Sequence, residues 1–245
     1  MSFSTLLQNI ADAEQGPKTC AVFDFDGTII SGYSATAFLK DQIARGEVSP
    51  ADLFQLTQAA TRFGIGSLGF SALMAVHARY LAGRSETDYV ANSERLFRRA
   101  IAKLIYPEAR QLIEAHRAAG HSIAIISSAT PYQVLPAARD LGIENVYATD
   151  LEVEDGQFTG HVVQPTCFGI GKMHAANRFT AQQGSDLENC FFYSDSIDDI
   201  ELLETAGRPV VINGSRELKK TAREAGWSMA DFSSRGNATG SQVMR

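Results

Sequence analysis

The sequence predicts an α/β protein in which a doubly wound parallel sheet carries an inserted all-helical domain. Short, nearly continuous apolar runs are typical of central strands that are covered on both faces. Four such runs are present, at 19–23, 121–126, 189–193 and 209–212. Helical patterns alternate with these runs, at 108–119, 131–141, 172–182, 197–206 and 216–225. This alternation favours parallel strands joined by right-handed crossovers.

Residues 31–105 contain no segment with a convincing strand pattern. Amphipathic helical patterns occupy this stretch instead, at 35–45, 50–62, 67–81 and 86–105. Ser85 is a suitable N-cap for the last of them. We therefore expect residues 1–31 and 106–232 to form the α/β core, and residues 32–105 to form a helical cap inserted after the first strand.

Two smaller features lie in the second half of the chain. Residues 153–161 have the pattern of a β-hairpin, because Asp155-Gly156 favours a tight hairpin turn. From Ser233 onward the sequence is polar and rich in serine and glycine, so we expect residues 233–245 to form a flexible tail.

Composition and charge disfavour several classes of protein. The 245 residues carry a net charge of −6 and no basic run, which argues against a nucleic-acid partner. The N-terminal segment lacks the pattern of a secretory signal, and no segment reaches about 18 consecutive apolar residues, so no membrane association is expected. The three cysteines lie far apart, without the spacing of a disulfide framework or a metal site. We expect a reducing, cytoplasmic location.

Polar side chains follow several predicted strands at one edge of the sheet. They are Asp24, Asp26, Ser127, Lys172, Asp195 and Asp199. In open α/β sheets, ligands bind outside the carboxyl ends of the strands. Carboxylates, a hydroxyl and an ammonium at that edge are suited to nucleophilic and acid–base chemistry, Mg²⁺ binding and phosphoryl binding. Each residue alone is more simply a turn, capping or solvated residue, but their joint occurrence favours a catalytic site.

Four segments of the chain resemble the motifs of the haloacid dehalogenase superfamily: DFDGT at 24–28, SSAT at 127–130, the lone Lys172 and DSIDD at 195–199. The chain is similar in particular to the phosphoserine-phosphatase-like branch, in which a helical cap lies between the first two motifs. The stretch between the first two motifs is long enough here for such a cap. The stretch from the second motif to Lys172 has room only for a helix, a strand and the hairpin.

This resemblance implies a phosphatase that works through an aspartyl-phosphate intermediate. Asp24 would be the nucleophile, and Asp26 would protonate the leaving alkoxide and then accept a proton from the attacking water. Ser127 and Lys172 would hold the phosphoryl oxygens.

The cofactor implied by the resemblance is Mg²⁺. The carboxylates of Asp24 and Asp195 and the backbone carbonyl of Asp26 would bind it, together with water. Asp199 would act indirectly, by orienting Lys172 or metal-bound water.

The substrate stays open beyond a small phosphorylated metabolite. In serine phosphatases of this branch, a glutamate nine residues after the nucleophile and a cap arginine bind the charged ends of phosphoserine. Here the ninth position is Tyr33, and alignment puts His77 near the arginine, or Arg79 if the register slips by a turn. We therefore expect Tyr33 and His77 to contact a less highly charged leaving group than that of phosphoserine. Aromatic or amino-alcohol leaving groups, such as those of the histidinol phosphate or phosphocholine-like esters that other members of this branch hydrolyse, fit this expectation. A phosphoserine phosphatase is the alternative, and the sequence does not predict the oligomeric state.

Three rival classes fit the sequence less well. A phosphorylated receiver domain of a signalling system also uses aspartates, a hydroxyl and a lysine around Mg²⁺, but it is shorter and has no inserted cap. A dehalogenase of the same superfamily normally lacks the second aspartate, here Asp26, because a halide leaves without a proton. A non-catalytic binding member would lack at least one motif residue, and none is missing.

Two features of the cap have more than one interpretation. Arg95, Arg98, Arg99 and Lys103 cluster on one predicted helix, and we interpret them as a solvated face, with anion recruitment as the alternative. His77 lies on an apolar helical stripe, so a core histidine and a substrate contact are both compatible with its position.

Overall fold

The computed structural model describes residues 2–233, so the predicted tail lies outside the described residues except for Ser233. The strands are β1 (Cys20–Phe23), β2 (Ser122–Ile126), β3 (Asn145–Tyr147), β4 (Leu151–Glu154), β5 (Gln157–Val162), β6 (Cys190–Ser194), β7 (Arg208–Ile212) and β8 (Ser228–Ala230). Six of them form one parallel sheet in the order β3-β2-β1-β6-β7-β8, and β4 and β5 form a separate hairpin.

The α-helices of residues 2–233 lie around this sheet and in the segment between β1 and β2. They are α1 (Phe3–Ala11), α2 (Ser34–Ala44), α3 (Pro50–Gly64), α4 (Phe70–Leu81), α5 (Glu86–Leu96), α6 (Pro107–Ala118), α7 (Pro131–Leu141), α8 (Ile170–Gln182), α9 (Ile200–Thr205) and α10 (Arg216–Glu224). Ser85 caps α5, because its side chain accepts the Asp88 amide as the sequence predicts. No helix in the described part of the chain is long and apolar enough to span a bilayer.

Successive side chains of β1 enter two different cores, because side chains alternate between the faces of a strand. Ala21 and Phe23 belong to the apolar cluster that includes α1, α6 and α7. Cys20 and Val22 belong to the cluster that includes α8, α9 and α10. All four side chains are almost fully buried. The predicted doubly wound α/β sheet with an inserted helical cap is confirmed.

The last helix of the cap differs from its prediction. The pattern at 86–105 predicts a single helix, but α5 ends at Leu96 and is followed by a π-helical turn at Phe97–Ile101 and a 3-10 turn at Ala102–Leu104. After these turns the chain pairs with the segment that leaves β1. The Ser31 amide donates to the Leu104 carbonyl at 2.8 Å.

The two connections between sheet and cap lie side by side. Besides the contact of Ser31 with Leu104, the Tyr106 amide donates to the Ile29 carbonyl at 3.0 Å, and Ile30 and Ile105 form an antiparallel bridge. The chain therefore enters and leaves the cap through a single two-stranded neck.

The predicted hairpin is present and slightly longer than the sequence indicates. Its turn uses Asp155 and Gly156, both with positive φ, at 50° and 74°, as expected for a tight hairpin turn. The hairpin packs closely on the cap, because a Cβ at Gly160 would lie 3.0 Å from the Cβ of Ala82, just after α4. The hairpin therefore supports the cap on the side of α4.

Three elements of the core were not predicted from the sequence. β3 and β8 have three residues each, lie at the two edges of the sheet and are only half-buried, so neither produces a continuous apolar run. The N-terminal helix α1 buries Leu6 and Ile10, and its apolar residues at 3, 6, 7 and 10 have helical spacing that the predictions did not use.

Candidate active site

The loop after β1 places Asp24 at the carboxyl end of the central strand. The Asp24 amide donates to the Tyr193 carbonyl of β6 at 2.9 Å, which fixes its backbone to the neighbouring strand. Its side chain is buried, with 6% of the residue exposed. The chain then turns sharply at Gly27, whose φ is 77° and whose amide donates to the Gly32 carbonyl at 3.0 Å.

Lys172 is the centre of a buried ion-pair network. It lies in the first turn of α8 and is 3% exposed. Its Nζ is 2.9 Å from Asp24 Oδ1 and 2.8 Å from Asp199 Oδ2. Asp199 Oδ2 also accepts the hydroxyl of Ser194, the last residue of β6, at 2.6 Å. Asp199 therefore holds Lys172 in place against Asp24, which is the contact that its predicted orienting role requires.

The cap holds the side chain of Asp26. Its Oδ1 accepts the Ser34 amide at 2.7 Å, and its Oδ2 accepts the Ser34 hydroxyl at 3.0 Å. Ser34 is the first residue of α2, and its hydroxyl accepts the Gln133 side-chain amide of α7 at 3.1 Å. The sequence predictions missed Ser34 and Gln133, because neither belongs to a motif. The available signal was that Ser34 begins the helix that follows the DFDG loop.

Asp195 lies against the loop after β1. Its Oδ1 accepts the Thr28 hydroxyl at 3.4 Å, a long and weak hydrogen bond. A Cβ at Gly27 would lie 2.0 Å from Asp195 Oδ2. Position 27 therefore requires glycine for two reasons, the positive φ and the close approach of this carboxylate. The sequence predictions did not include the second reason.

Ser127 follows β2 and is almost completely buried. Its amide donates to the Tyr147 carbonyl of β3 at 2.9 Å, which continues the parallel pairing past the end of β2. Its Oγ accepts the Ala129 amide at 3.1 Å. Because the oxygen already accepts a hydrogen bond, the hydroxyl hydrogen is the part of Ser127 that is suited to donate to a bound anion.

The pKa values of Asp24, Asp26 and Asp195 are raised, mainly because these carboxyl groups are buried. Burial raises the pKa of Asp24 to about 7, against the opposing charge of Lys172. Burial likewise raises the pKa of Asp26 to about 6, although the Ser34 amide and hydroxyl favour its charged form. The pKa of Asp195 also rises to about 6, with burial as the largest cause.

Lys172 stays charged in spite of its burial. Burial disfavours the ammonium, but the carboxylates of Asp199 and Asp24 outweigh this effect and raise the Lys172 pKa above its ordinary value. The repulsion among Asp24, Asp195 and Asp199 adds to the raised pKa values of Asp24 and Asp195. The buried ammonium of Lys172 thus lies among the carboxylates of Asp24, Asp195 and Asp199. Negative charge therefore exceeds positive charge in this group of side chains.

This surplus and the oxygen-only donors fit a hard divalent cation such as Mg²⁺. The side chains of Asp24 and Asp195 and the backbone carbonyl of Asp26, at the carboxyl ends of β1 and β6, are the groups that could hold such an ion. No group of three or more His, Cys, Asp or Glu side chains in residues 2–233 has the arrangement of a metal site. Mg²⁺ commonly keeps several water ligands and binds through one or two carboxylates, so two carboxylates and a carbonyl are a suitable set.

The structure places Tyr33 and His77 in different surroundings. Tyr33 precedes α2 and is 67% exposed. Partial burial raises its pKa, and the nearby carboxylates raise it further, those of Asp195 and Asp26 most. His77 on α4 is neutral, because burial and then the charge of Arg84 lower its pKa to about 4. Within residues 2–233 neither side chain has a hydrogen bond or ion pair to Asp24, Asp26 or Asp195, but the charges of these carboxylates act on Tyr33, whereas the charge that acts on His77 is that of Arg84.

The basic cluster of the cap is not simply a solvated face. Arg95 and Arg99 contact the buried carboxylate of Asp41, at 3.1 Å and 3.3 Å. Arg45 contacts the same carboxylate at 2.8 Å. Arg98 faces Glu94 instead, at 3.8 Å, and is 71% exposed. The side chains of Arg95 and Arg99 are 41% and 63% exposed, which agrees with the predicted solvated face, and the sequence did not predict their contacts with Asp41.

Comparisons with known proteins agree on one family. A family model described as haloacid dehalogenase-like hydrolase matches residues 21–204. A phosphoserine phosphatase of Mycobacterium tuberculosis is 34% identical over 217 residues, which cover 86% of this chain and 70% of that protein. A histidinol-phosphatase of Neisseria meningitidis is 31% identical over 220 residues, which cover 88% of this chain and 99% of that protein.

The same architecture occurs in a solved structure. The crystal structure of a protein of unknown function from Bordetella pertussis aligns with a TM-score of 0.80 and 28% identity, covering 86% of this chain and 97% of that one. The family model spans most of the chain, and the site has a buried aspartate at the end of β1 with the lysine and further aspartates that the motifs imply. The chain belongs to the haloacid dehalogenase-like hydrolase family.

Proposed function

We propose that the chain hydrolyses small phosphomonoesters with Mg²⁺ as cofactor, through a phosphorylated Asp24. Family membership and relatives named as phosphatases make the chain a phosphomonoester hydrolase. One observation carries the finer proposal: the Lys172 ammonium lies 2.9 Å from the carboxylate of Asp24. This contact brings a buried carboxylate and a fixed cation together at a strand end, two residues from the carboxyl group of Asp26.

In the first step, an Asp24 carboxylate oxygen attacks the phosphorus atom of the ester. A bond forms between them while the bond from phosphorus to the leaving oxygen breaks, and Asp26 donates its proton to that oxygen. The leaving group departs as a neutral alcohol. A carboxyl group with a pKa of about 6 keeps an appreciable protonated fraction near neutral pH, which suits this role.

In the second step, water attacks the phosphorus atom of the aspartyl phosphate. Asp26, now ionised, accepts a proton from that water while the bond between phosphorus and Asp24 breaks. Inorganic phosphate leaves, and both aspartates return to their starting states. One carboxyl group can serve both steps, because the first step leaves it in the form that the second requires.

Lys172 and Ser127 bind the non-bridging phosphoryl oxygens in this proposal. Lys172 is fixed by Asp199, so little reorganisation is needed when charge moves onto the phosphoryl group. Ser127 contributes its hydroxyl hydrogen, since its oxygen is already used by the Ala129 amide.

Asp24, Asp195 and the Asp26 carbonyl would hold the Mg²⁺ ion. When bound, Mg²⁺ reduces the repulsion between the anionic nucleophile and the anionic phosphate. Asp199 would act on this centre only through Lys172, to which it is bound at 2.8 Å.

We assign the choice of leaving group to the cap, proposed as residues 32–105. The neck between Ser31 and Leu104 permits the cap to move over the core, and closure would exclude water from the reacting phosphoryl group. The contact of Ser34 with Asp26 links this movement to the general acid. Closure of the cap is thereby coupled to the orientation of the proton donor.

The substrate is proposed to be a small phosphorylated metabolite other than phosphoserine, in a cytoplasmic setting. Tyr33 stands where a serine phosphatase would place a glutamate, and it offers no carboxylate for the ammonium of phosphoserine. The relatives carry two different substrate names, phosphoserine and histidinol phosphate, at similar identities of 34% and 31%, so the names do not decide between them. Phosphoserine phosphatase is the alternative that the first relative's name supports.

A panel of small phosphomonoesters tests the proposal, with purified protein assayed with Mg²⁺ and with excess chelator. We expect turnover only with Mg²⁺, a decrease in kcat of several orders of magnitude in Asp24→Asn, and a higher kcat/KM for at least one uncharged or singly charged alkyl ester than for phosphoserine. Full activity of Asp24→Asn or of chelated enzyme would contradict the mechanism. Phosphoserine ranking first would contradict the substrate proposal.

A further inference from the structure

A cleft of about 500 Å³ lies in the cap, between α2 and the chain that follows α5. Its floor is apolar and is formed by Ala37, Leu96, Ala100 and Leu104. Its mouth is formed by residues 31–33, next to the neck of the cap. None of the residues assigned above to the chemical steps lines this cleft.

The charged residues of the cleft leave a surplus of positive charge. Lys40, Asp41 and Arg99 line it, and Asp41 is shared by the guanidiniums of Arg45, Arg95 and Arg99. Lys40 is exposed and has no ion pair with any residue of the described range. Arg45 also pairs with Glu47, so the surplus comes from Arg95 and Arg99, which share Asp41, and from the unpaired ammonium of Lys40. These charges favour an anion in the cleft.

Tyr33 connects this cleft to the catalytic carboxylates. It lines the mouth of the cleft, and it is close enough to Asp195, Asp26 and Asp24 for their charges to act on its phenol. Tyr33 is therefore the residue that the cleft shares with the surroundings of the carboxylates. Lys40 lies seven residues after Tyr33, about 10 Å along a helix with a rise of 1.5 Å per residue.

Building on the proposed phosphatase function, we propose that this cleft binds an anionic group at the far end of the substrate's leaving group. The apolar floor takes a hydrocarbon linker, and Lys40 and Arg99 take a terminal carboxylate about two helical turns from Tyr33. The substrate class is a phosphomonoester of an elongated alcohol that ends in an anion. The carboxylate of phosphoserine lies too close to its ester oxygen to reach Lys40, which agrees with the expectation that phosphoserine is not preferred.

Matched pairs of esters test this proposal. The probes are butyl, hexyl and octyl phosphate and the same three esters ending in a carboxylate, each assayed for kcat/KM with Mg²⁺. The enzymes are the native chain, Lys40→Met/Arg99→Met and the control Arg98→Met, which removes an arginine that faces Glu94 and does not line the cleft. In the double variant, the carboxylate of Asp41 retains its ion pairs with Arg45 and Arg95. We therefore expect the double variant to fold, and a thermal unfolding measurement checks this.

We expect the native chain to prefer the longer carboxylate-ended esters over their alkyl counterparts by about fivefold to tenfold. The double variant should lose this preference and keep the kcat/KM of the alkyl esters within about twofold, while Arg98→Met should change neither. The preference should also weaken as salt is added. The proposal would be overturned if the native chain had the same kcat/KM for each alkyl ester and its carboxylate-ended counterpart. It would also be overturned if the double variant lowered kcat/KM equally for both esters of a pair.

The two proposals fail in different ways. If no ester is hydrolysed, the proposed function is contradicted. Binding of the carboxylate-ended octyl ester, measured by calorimetry, then tests whether the cleft binds an anionic group. Weaker binding in the double variant than in Arg98→Met would support it, and equal binding would overturn it.

Discussion

The carboxyl edge of the sheet and the cleft in the cap hold their charged groups in different ways. At the sheet edge, Lys172 and Asp199 are each 3% exposed and lie 2.8 Å apart. In the cleft, Lys40 is exposed and Arg99 shares its carboxylate with other arginines. A buried pair is costly to disturb because an unpaired buried charge remains, whereas an exposed charge can be removed at little cost. We therefore expect the chemical steps to depend on the sheet edge and the choice of leaving group on the cap.

The largest effect on the sheet edge should come from Lys172→Met. This change leaves Asp24 and Asp199 buried without their cation, so we expect the metal-free protein to lose about 3 to 5 kcal/mol of unfolding free energy. With Mg²⁺ present, kcat should fall about a thousandfold or more. Denaturant unfolding and steady-state kinetics measure the two effects. Lys219→Met is the control, since Lys219 pairs with the exposed Asp231, and a similar loss there would contradict the comparison.

Gly27→Ala should have the next largest effect. The added Cβ would meet Asp195 Oδ2 at 2.0 Å, so the carboxylate must move, and we expect weaker Mg²⁺ binding and about a hundredfold lower kcat. Gly66→Ala is the matched control, because Gly66 also has a positive φ, of 71°, but has no atom within 4 Å of an added Cβ. The control should lose only about 1 to 2 kcal/mol of stability. Equal Mg²⁺ affinity in both variants would show that Asp195 does not bind the metal.

The sheet edge could be predicted from the sequence because its residues occupy fixed places. Asp24, Ser127 and Asp195 each follow a strand by one residue, and parallel strands bring such positions to one edge regardless of the loops between them. The partners of these residues could not be predicted. Ser34 lies eight residues after Asp26 and reaches it because the chain turns back between them, where the Gly27 amide donates to the Gly32 carbonyl. The spacing of the sequence does not show this turn.

Ser34→Ala should have a moderate effect, at the point where the two regions meet. The variant keeps the amide contact to Asp26 but loses the hydroxyl contact, so we expect kcat to fall about tenfold. Because this hydroxyl favours the charged form of Asp26, its loss should raise the Asp26 pKa and move the corresponding limb of the pH–rate profile to higher pH. Ser49→Ala removes the cap of α3 instead and should leave the profile unchanged. A profile that does not move in Ser34→Ala would contradict the link between cap and acid.

A change of pH should have a smaller effect, which is measured as a change in Mg²⁺ affinity. The pKa of Asp24 is about 7 in the metal-free protein, so this carboxyl group gains a proton as the pH falls through that value. Mg²⁺ must displace the proton, and its apparent affinity should fall by up to about tenfold per pH unit below pH 7. Calorimetry at several pH values measures this change, and Asp24→Asn should reduce it. An affinity that is constant across this range would contradict Asp24 as a ligand.

The cap was harder to predict than the core, for a physical reason. Its helices follow from their apolar patterns, but the charges of Arg95 and Arg99 find their partner on another helix, at the buried Asp41. The sequence shows which residues are charged and does not show how two helices cross. The sequence also did not show that the predicted helix at 86–105 changes to a π-helical turn and then a 3-10 turn after Leu96.

The most direct test of the central claim is mass spectrometry of enzyme quenched during turnover of p-nitrophenyl phosphate with Mg²⁺. This leaving group departs without a proton, so Asp26→Asn should still be phosphorylated but should hydrolyse the intermediate slowly. We predict that one phosphoryl group accumulates in Asp26→Asn on the peptide that contains Asp24, and that Asp24→Asn shows none. A phosphoryl group on Ser127 or on any other residue, or no adduct under conditions of turnover, would contradict the account.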